Sequence, residues 1–154
     1  MVRLARKLIG RKVNVWEWRY ELPFPRFSRD EDWIAKAWIY DVRLKGEYWF
    51  GVCLPSKKFQ VPEHIPESLK RMWLIDTAKK IDIVVLTDYE VHLVEVKRKM
   101  LSSGIGQLLL YKEMFREYYR PTGRIVLWYV TYTSDPDVVD MCKALGIKTW
   151  SYIK

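Results

Sequence analysis

The second half of the chain alternates short apolar runs with segments whose apolar residues recur at helical spacing. The β-branched run 81–86 and the segment 91–97 predict two buried strands joined as a hairpin by the turn 87–90. Around them the pattern predicts a helix from Pro66 to about Trp73, a short strand at 74–78, a helix from Ser102 or Ser103 to about Tyr119, a strand at 124–133, a helix from Ser134 or Asp135 to Gly146, and a strand at 147–153. This order predicts an α/β fold with a central mixed β-sheet flanked by helices.

Residues 1–60 are rich in Trp and interrupted by prolines, so their pattern is less regular. One interpretation is a β-hairpin with strands at 37–44 and 48–54 that turns at 45–47. The competing interpretation is a helix that begins at Ser28, because Ser28 and Glu31 have the spacing of a capping box. We therefore divide one predicted domain, 1–154, into an aromatic-rich N-terminal extension, 1–60, and a core, 61–154.

Composition limits the classes of protein that the chain can belong to. Its 154 residues suit one domain, and a hydrophobic content of 49% supports a packed core. The apolar stretch 125–130 is too short to cross a bilayer, and no apolar segment follows the basic start, so we expect neither a membrane span nor a signal peptide. Cys53 and Cys142 lack the spacing of a zinc or iron–sulfur site and indicate a reduced, cytoplasmic setting.

The net charge of +8 indicates an anionic partner, with nucleic acid favoured over an acidic membrane. Residues 1–30 carry eight Lys or Arg against three acids, a local excess of +5, beside several aromatic side chains that could stack on bases. We expect this segment to hold DNA. A single Asn and two Gln beside 30% charged residues suggest a thermophilic source.

Two carboxylates on neighbouring predicted strands are the strongest chemical signal. Asp82 interrupts an apolar strand, and an unpaired buried carboxylate is costly, so it should be paired or bind a metal. Glu95 and Lys97 point to one face of the next strand, while Val96 packs on the other. Carboxylate oxygens with a backbone carbonyl suit Mg²⁺, and a nearby lysine could orient the attacking water; a cross-strand salt bridge is the alternative.

The helix after these strands adds Gln107 and Tyr111, which are neighbours on one helical face. The runs Ile-Asp82-Ile-Val-Val, Leu-Val-Glu95-Val-Lys97 and Gly-Gln107-Leu-Leu-Leu-Tyr111 together resemble the PD-(D/E)XK nuclease superfamily, the restriction-endonuclease-like fold. The resemblance covers about residues 63–154. It departs from the family pattern in having Ile81 where a proline usually precedes the first acid.

This resemblance implies a core of the order αβββαβ and a role for each site residue. Asp82, Glu95 and the carbonyl of Val96 would bind Mg²⁺, for which Mn²⁺ could substitute, and Lys97 would position the attacking water. Gln107 would lie at the edge of the site, with Tyr111 supporting it. Many members add an acid from the first helix, for which Glu67 is our candidate, followed by Glu63 and Glu31.

Four basic residues near this site are candidate contacts to DNA: Lys79, Lys80, Arg98 and Lys99. An exposed turn or a solvated strand end is the alternative interpretation of these lysines and arginines. His92 faces away from Glu95 by strand parity, and His64 lies in a proline-rich loop, so neither is predicted to be catalytic.

The resemblance implies a magnesium-dependent deoxyribonuclease that needs no small-molecule cofactor. We expect an endonuclease acting on duplex or branched DNA, similar to Holliday-junction resolvases, and a homodimer whose two sites cut two strands. An exonuclease similar to RecB or Cas4 is disfavoured, because Cas4-like members carry four cysteines. The alternatives are a catalytically inactive nucleic-acid-binding module of the same fold and a tRNA-splicing-endonuclease-like domain, which would need a suitably placed His.

Overall fold

A computed structural model describes residues 1–56 and 63–153 of the chain. Within these residues the fold is α/β, with one open six-stranded mixed sheet and four helices. The predicted boundary between extension and core, at residues 60 and 61, lies outside the described residues. The elements in chain order are β1 Arg11–Val13, α1 Arg29–Val42, β2 Glu47–Leu54, α2 Glu67–Thr77, β3 Lys79–Leu86, β4 Glu90–Lys97, α3 Ser103–Tyr119, β5 Arg124–Thr133, α4 Pro136–Ala144 and β6 Ile147–Ile153.

The strands lie in the sheet in the same order as in the chain, from β1 to β6. The first three pairings, from β1 to β4, are antiparallel, and the pairings β4–β5 and β5–β6 are parallel. The parallel connections are made by α3 and α4, as a strand–helix–strand crossover requires. Because β1 and β2 lie in this sheet, residues from the first third of the chain are part of its framework.

Each face of the sheet is covered by its own apolar cluster. One cluster joins the sheet to α3 and α4 through side chains such as Leu108, Phe115 and Cys142. The other joins it to α1 and to the aromatic segment before α1, through Trp38, Phe24 and their neighbours. Burial on both faces explains why β3 and β4 consist largely of buried β-branched and leucine residues.

The hairpin prediction for 37–44 and 48–54 is wrong in its first strand. Residues 37–42 belong to α1, and only the second predicted strand exists, as β2. The competing prediction is confirmed, because Ser28 caps α1 by accepting a hydrogen bond from the backbone N–H of Glu31. The helix is favoured over the strand because its apolar stripe, which includes Trp38 and Ile39, packs on the sheet.

The short strand predicted at 74–78 is also wrong. The helix that the sequence predicts only to about Trp73 continues to Thr77, as α2, and the N–H of Ala78 closes it on the carbonyl of Leu74. β3 then begins at Lys79, two residues before the predicted start. The sequence predicts three consecutive strands from residue 74. In the structure β2 lies beside β3, in the place expected for the first of them. The remaining predicted strands and helices, from residue 81 to residue 153, are confirmed to within one or two residues at most bounds.

The first nine residues run along the outside of the sheet and are tied to distant parts of the chain. The N–H of Val2 donates to the carbonyl of Thr87, and that of Ala5 donates to Tyr119. Arg3 exchanges two hydrogen bonds with Thr122. In the part of the chain that the structure describes, no helix has the length and apolarity needed to cross a membrane.

Candidate functional site

The candidate site opens where β3 and β4 stop pairing. The regular ladder between them ends at the pair Ile83–Val94. At the next position a side chain takes the place of a backbone carbonyl as the acceptor. Oδ2 of Asp82 accepts a hydrogen bond of 2.9 Å from the N–H of Val96. The carboxylate is thus buried and held at the point where the two strands diverge.

The strand on the other side of Asp82 is irregular at the matching position. Phe50 pairs with Ile83 and Val52 with Ile81, which places Gly51 opposite Asp82. Gly51 has φ of +62°, in the left-handed region that favours glycine. The alternation of side chains is interrupted here, because Ile81 packs in the same cluster as Val52 rather than in that of Ile83. The acidic site therefore coincides with a break in the regular sheet.

Arg26, from the segment before α1, completes the surroundings of Asp82. Its Nε lies 2.9 Å from Asp82 Oδ1, and its Nη2 is 3.4 Å from the carbonyl of Lys80. The arginine stem passes over Gly51, where an added Cβ would lie 3.4 Å from Arg26 Cδ. In the sequence Arg26 is one of the eight basic residues of positions 1–30 and has no other distinguishing signal. Nothing in its spacing could have linked it to Asp82, which lies 56 positions further along the chain.

Glu95 is buried beside Asp82 and carries the clearest electrostatic signal. Its pKa is raised to about 9, first by burial and then by the neighbouring Asp82 carboxyl, while Lys97 opposes the rise. Its Oε2 is buried and has no hydrogen-bond donor in the described structure. Two carboxyl groups in such contact need either a shared proton or a cation between them.

Lys97 lies at the border between this buried pair and solvent. Its Nζ is 3.5 Å from Glu95 Oε1, and its side chain is 44% exposed, against 3% for Glu95. The ammonium group can therefore reach both the buried carboxyl and a molecule arriving from solvent. This placement agrees with the prediction that Glu95 and Lys97 point to the same face of their strand.

Helix α3 covers the carboxylates with its first turns. Gly104 allows the close approach, since an added Cβ would lie 2.3 Å from the ring of Tyr129 in β5. Two turns further on, burial and the charges of Glu95 and Asp82 raise the pKa of Tyr111 to about 12, while the charge of Arg26 and a hydrogen bond with Gln107 oppose the rise. Tyr111 is buried and Gln107 half-buried, so the pair forms the helical wall of the site.

The additional acids proposed from the sequence do not join this pair. Glu67 lies in the first turn of α2 with its side chain 90% exposed, and it pairs with Lys70. Glu63 is exposed, and Glu31 lies in the capping box of α1 with Ser28. Within residues 1–56 and 63–153, no cluster of three or more Asp, Glu, His or Cys side chains could hold a metal ion. Glu67 therefore does not supply a third acid to Asp82 and Glu95.

The four basic candidates for DNA contact lie in different places. Lys80 lines a cavity that it shares with Arg26, and Lys79 lines a separate cavity next to α3. Arg98 is exposed and pairs with Asp30 at 3.2 Å, and Lys99 is exposed. The structure does not gather these four side chains into one patch.

Both histidines lie away from the carboxylates, as strand parity and the loop position predict. His92 is buried on the face of α1, where the indole Nε1 of Trp128 donates to its Nδ1 at 2.9 Å. Burial is the main reason that its pKa is lowered. His64 is exposed in the turn before α2.

The donor set fits one divalent cation, with two carboxylates rather than three. Oε2 of Glu95 is buried without a partner beside the Asp82 carboxyl, and carboxylate oxygens are ligands that Mg²⁺ prefers. Mg²⁺ commonly binds through one or two carboxylates and completes its shell with water and phosphate oxygens. Asp82 and Glu95 could therefore hold the ion, with the carbonyl of Val96 as the third protein ligand implied by the resemblance. No family model, curated protein or solved structure matches this chain.

Proposed function

We propose that this protein is a metal-dependent nuclease that hydrolyses DNA phosphodiester bonds. The observation that carries the proposal is the contact between two buried carboxyl groups, Asp82 and Glu95, one of which has a buried oxygen without a donor. Arg26 and Lys97 each pair with one of the two acids, but a simple structural ion pair would not also bring a second buried carboxyl into contact with the first. Such a contact between two acids is costly to folding and is typical of a site that awaits a cation.

In this proposal Asp82, Glu95 and the carbonyl of Val96 hold Mg²⁺. The bound ion would polarise the phosphodiester and lower the pKa of a water molecule. Lys97 would orient that water and stabilise charge on the phosphate from its half-exposed position. Gln107 would fix the hydroxyl of Tyr111 and so maintain the wall of the site.

Endonuclease action on duplex or branched DNA, and a homodimeric assembly, belong to the same proposal. The basic charge of the chain, +8 overall, supports a polyanionic partner. A dimer would provide two sites for two strands, as a symmetric cut requires.

The proposal is tested by incubating labelled single-stranded, duplex and four-way-junction DNA with Mg²⁺, Mn²⁺ or EDTA. We expect metal-dependent cutting that Glu95→Gln and Lys97→Ala abolish while DNA binding is largely retained. The matched control is Glu67→Gln, which removes a 90% exposed acid that pairs with Lys70 and should leave cutting unchanged. Cutting that survives both site substitutions would overturn the assignment.

One observation favours a second candidate, a nucleic-acid-binding module that does not cut. Both oxygens of Asp82 already have donors, from Arg26 and from the N–H of Val96. An arginine held on a carboxylate competes with a metal for that carboxylate. Tight DNA binding without cutting on any of the three substrates, in either metal, would establish the binding module instead.

A further inference from the structure

A second feature of interest is a basic cavity that opens beside the carboxylates. It has a volume of about 330 Å³ and lies between β1, β2, α2 and the segment that carries Arg26. Among its described lining residues four are cations and none is an acid; the cations are Arg11, Arg26, Arg71 and Lys80. We call it the basic cavity.

Most of the cations of the basic cavity have no carboxylate partner among the described residues. Arg26 pairs with Asp82, but no carboxylate in residues 1–56 and 63–153 forms an ion pair with Arg11, Arg71 or Lys80. Their sequence neighbours behave differently, since Lys12 pairs with Glu47 and Lys70 with Glu67. Three of the four cations around this concave space have no carboxylate partner among the described residues, so the cavity favours an anionic ligand.

The basic cavity has four cations, against two, Lys143 and Lys148, in a cavity of about 500 Å³ beside β6 that also has no acid among its described lining residues. It differs most from the cavity beside α3. That cavity, of about 700 Å³, lies against α3 and is lined by both signs of charge, including Arg6, Lys79, Glu113 and Glu117. In the basic cavity the remaining polar side chain is the thiol of Cys53, which burial keeps neutral by raising its pKa. Of the basic cavity and the cavity beside α3, only the former therefore offers an anion a surface of one sign.

The position of the basic cavity relates it to the candidate site. Arg26 lines the cavity and also bonds to Asp82, and Gly51, opposite Asp82 in the sheet, forms part of the wall. An anionic strand that approaches Asp82 and Glu95 meets two negative groups, which would repel it. Cations in the adjoining cavity offset this repulsion and attract the strand.

We propose that the basic cavity binds a phosphate group of the nucleic-acid strand whose neighbouring phosphodiester lies at Asp82 and Glu95. This inference rests on the proposed function for its choice of nucleic acid as the anion. Arg11 and Arg71 approach the phosphate from β1 and α2, and Arg26 separates it from the carboxylates. The phosphate belongs either to a strand terminus or to an internal diester.

The test compares two arginines of the cavity with adjacent cations outside it. Arg11→Gln is matched by Lys12→Gln, and Arg71→Gln by Lys70→Gln, so that each pair removes the same charge from neighbouring positions. DNA binding is measured in EDTA by fluorescence anisotropy over a range of salt concentrations. We expect roughly three- to tenfold weaker binding for each arginine variant and a salt slope reduced by about 1, with much smaller changes for the lysine variants.

Three DNA substrates identify the source of the phosphate: linear strands with a 5′-phosphate, the same strands with a 5′-hydroxyl, and closed circles. An arginine effect confined to the phosphorylated strands indicates a terminal phosphate, and an equal effect on circles indicates an internal diester; both support the cavity as the site. Arginine variants that bind every substrate like their lysine controls would overturn the inference.

The outcome of this test is separate from that of the cleavage assay. If Glu95→Gln abolishes cutting while the arginine variants bind like their controls, the nuclease stands and the basic cavity is not a phosphate site. If no substrate is cut but the arginine variants lose affinity, the phosphate site stands and the chain is a binding module.

Discussion

Two pairs of buried ionisable residues lie on opposite sides of the sheet. They differ in the charges they bring together and in whether their polar atoms have hydrogen-bond partners. In α1, Asp32 and Lys36 form a buried ion pair of 2.7 Å. Lys36 Nζ also donates to the carbonyls of Tyr20 and Leu22, so its three protons have three acceptors, and Asp32 accepts the N–H of Phe24. Every charged atom of this pair is thereby satisfied, and the pair fastens the aromatic segment to α1.

The pair Asp82 and Glu95 is equally buried but consists of two like charges. Glu95 keeps a buried oxygen without a donor, and its pKa is raised rather than held at its ordinary value. The comparison shows that burial of charge alone does not indicate function. A complete set of donors and acceptors is typical of a structural pair, whereas a buried carboxyl oxygen without a donor, next to a second acid, is what we expect of a site that binds a ligand.

The largest effect should follow from breaking the satisfied pair. Lys36→Met leaves Asp32 as a buried charge without its cation and releases the carbonyls of Tyr20 and Leu22, so we expect a loss of about 3–5 kcal/mol in the free energy of unfolding. Chemical denaturation at pH 7 measures it. A loss below about 1 kcal/mol would show that the segment before α1 is held by its aromatic contacts instead.

The second prediction concerns pH in the metal-free protein. Glu95 releases its proton near its ordinary pKa of 4.5 in the unfolded chain but only near 9 in the folded one, so the folded state binds more protons between these values. The free energy of unfolding should therefore fall as pH rises toward 9. Titration between pH 7 and 9 avoids the buried His92, whose lowered pKa makes stability fall with acid below about 6.5.

We expect this fall to be at least about 1.4 kcal/mol, the equivalent of one pKa unit. Adding Mg²⁺ or Mn²⁺ should reverse most of it, because a cation that binds the ionised pair stabilises the folded state. The same titration of Glu95→Gln is the control, since that variant retains Cys53 and Cys142, whose thiols also titrate at high pH. Equal slopes for the two proteins would contradict the raised pKa.

The third prediction is that Glu95→Gln stabilises the metal-free protein at pH 8. At pH 8 the folded state must hold Glu95 protonated beside Asp82, whereas the unfolded chain has it ionised. Gln is neutral in both states, so the substitution removes this cost and provides an amide that can donate to Asp82. We expect a gain of about 1–2 kcal/mol in the free energy of unfolding, alongside the loss of cutting. Asp32→Asn should do the reverse and destabilise, because Lys36 loses its counter-charge. A destabilised Glu95→Gln protein would remove the contrast between the two pairs.

The smallest effect is expected at the break in the sheet. Gly51→Ala places a side chain at φ of +62°, so we expect a loss of about 1 kcal/mol. The new methyl would also touch the stem of Arg26. Gly106→Ala in α3, where an added Cβ meets open space, is the control and should be neutral or slightly stabilising. Equal unfolding midpoints for the two variants would show that the backbone at residue 51 is unstrained.

The core of the fold was predictable because its signals are local. β3, β4 and β5 are runs of β-branched and aromatic residues, and α4 has a capping Asp135 with a proline in its first turn. Two local signals conflicted in α1, where residues 37–42 favour a strand by composition while Ser28 and Glu31 favour a helix. The cap, together with packing on the sheet, decided that conflict.

The candidate site was predictable only in the part that neighbouring strands carry. Strand parity and a hairpin are enough to bring Asp82 near Glu95, and helical spacing relates Gln107 to Tyr111. Arg26 depends instead on how a proline-rich segment packs across β2, which no local pattern encodes. The same holds for Glu67, whose distance from the pair follows from the orientation of α2.

The ties of the first nine residues have a consequence for the order of folding. Every strand pairs with its neighbour in the chain, so the sheet can grow by successive closures of modest loops. The N-terminal residues must instead find Thr87, Tyr119 and Thr122. These acceptors and donors come together only when the turn after β3 and the end of α3 are formed. Residues 1–9 are therefore synthesised before the rest of this fold, yet we expect them to dock last.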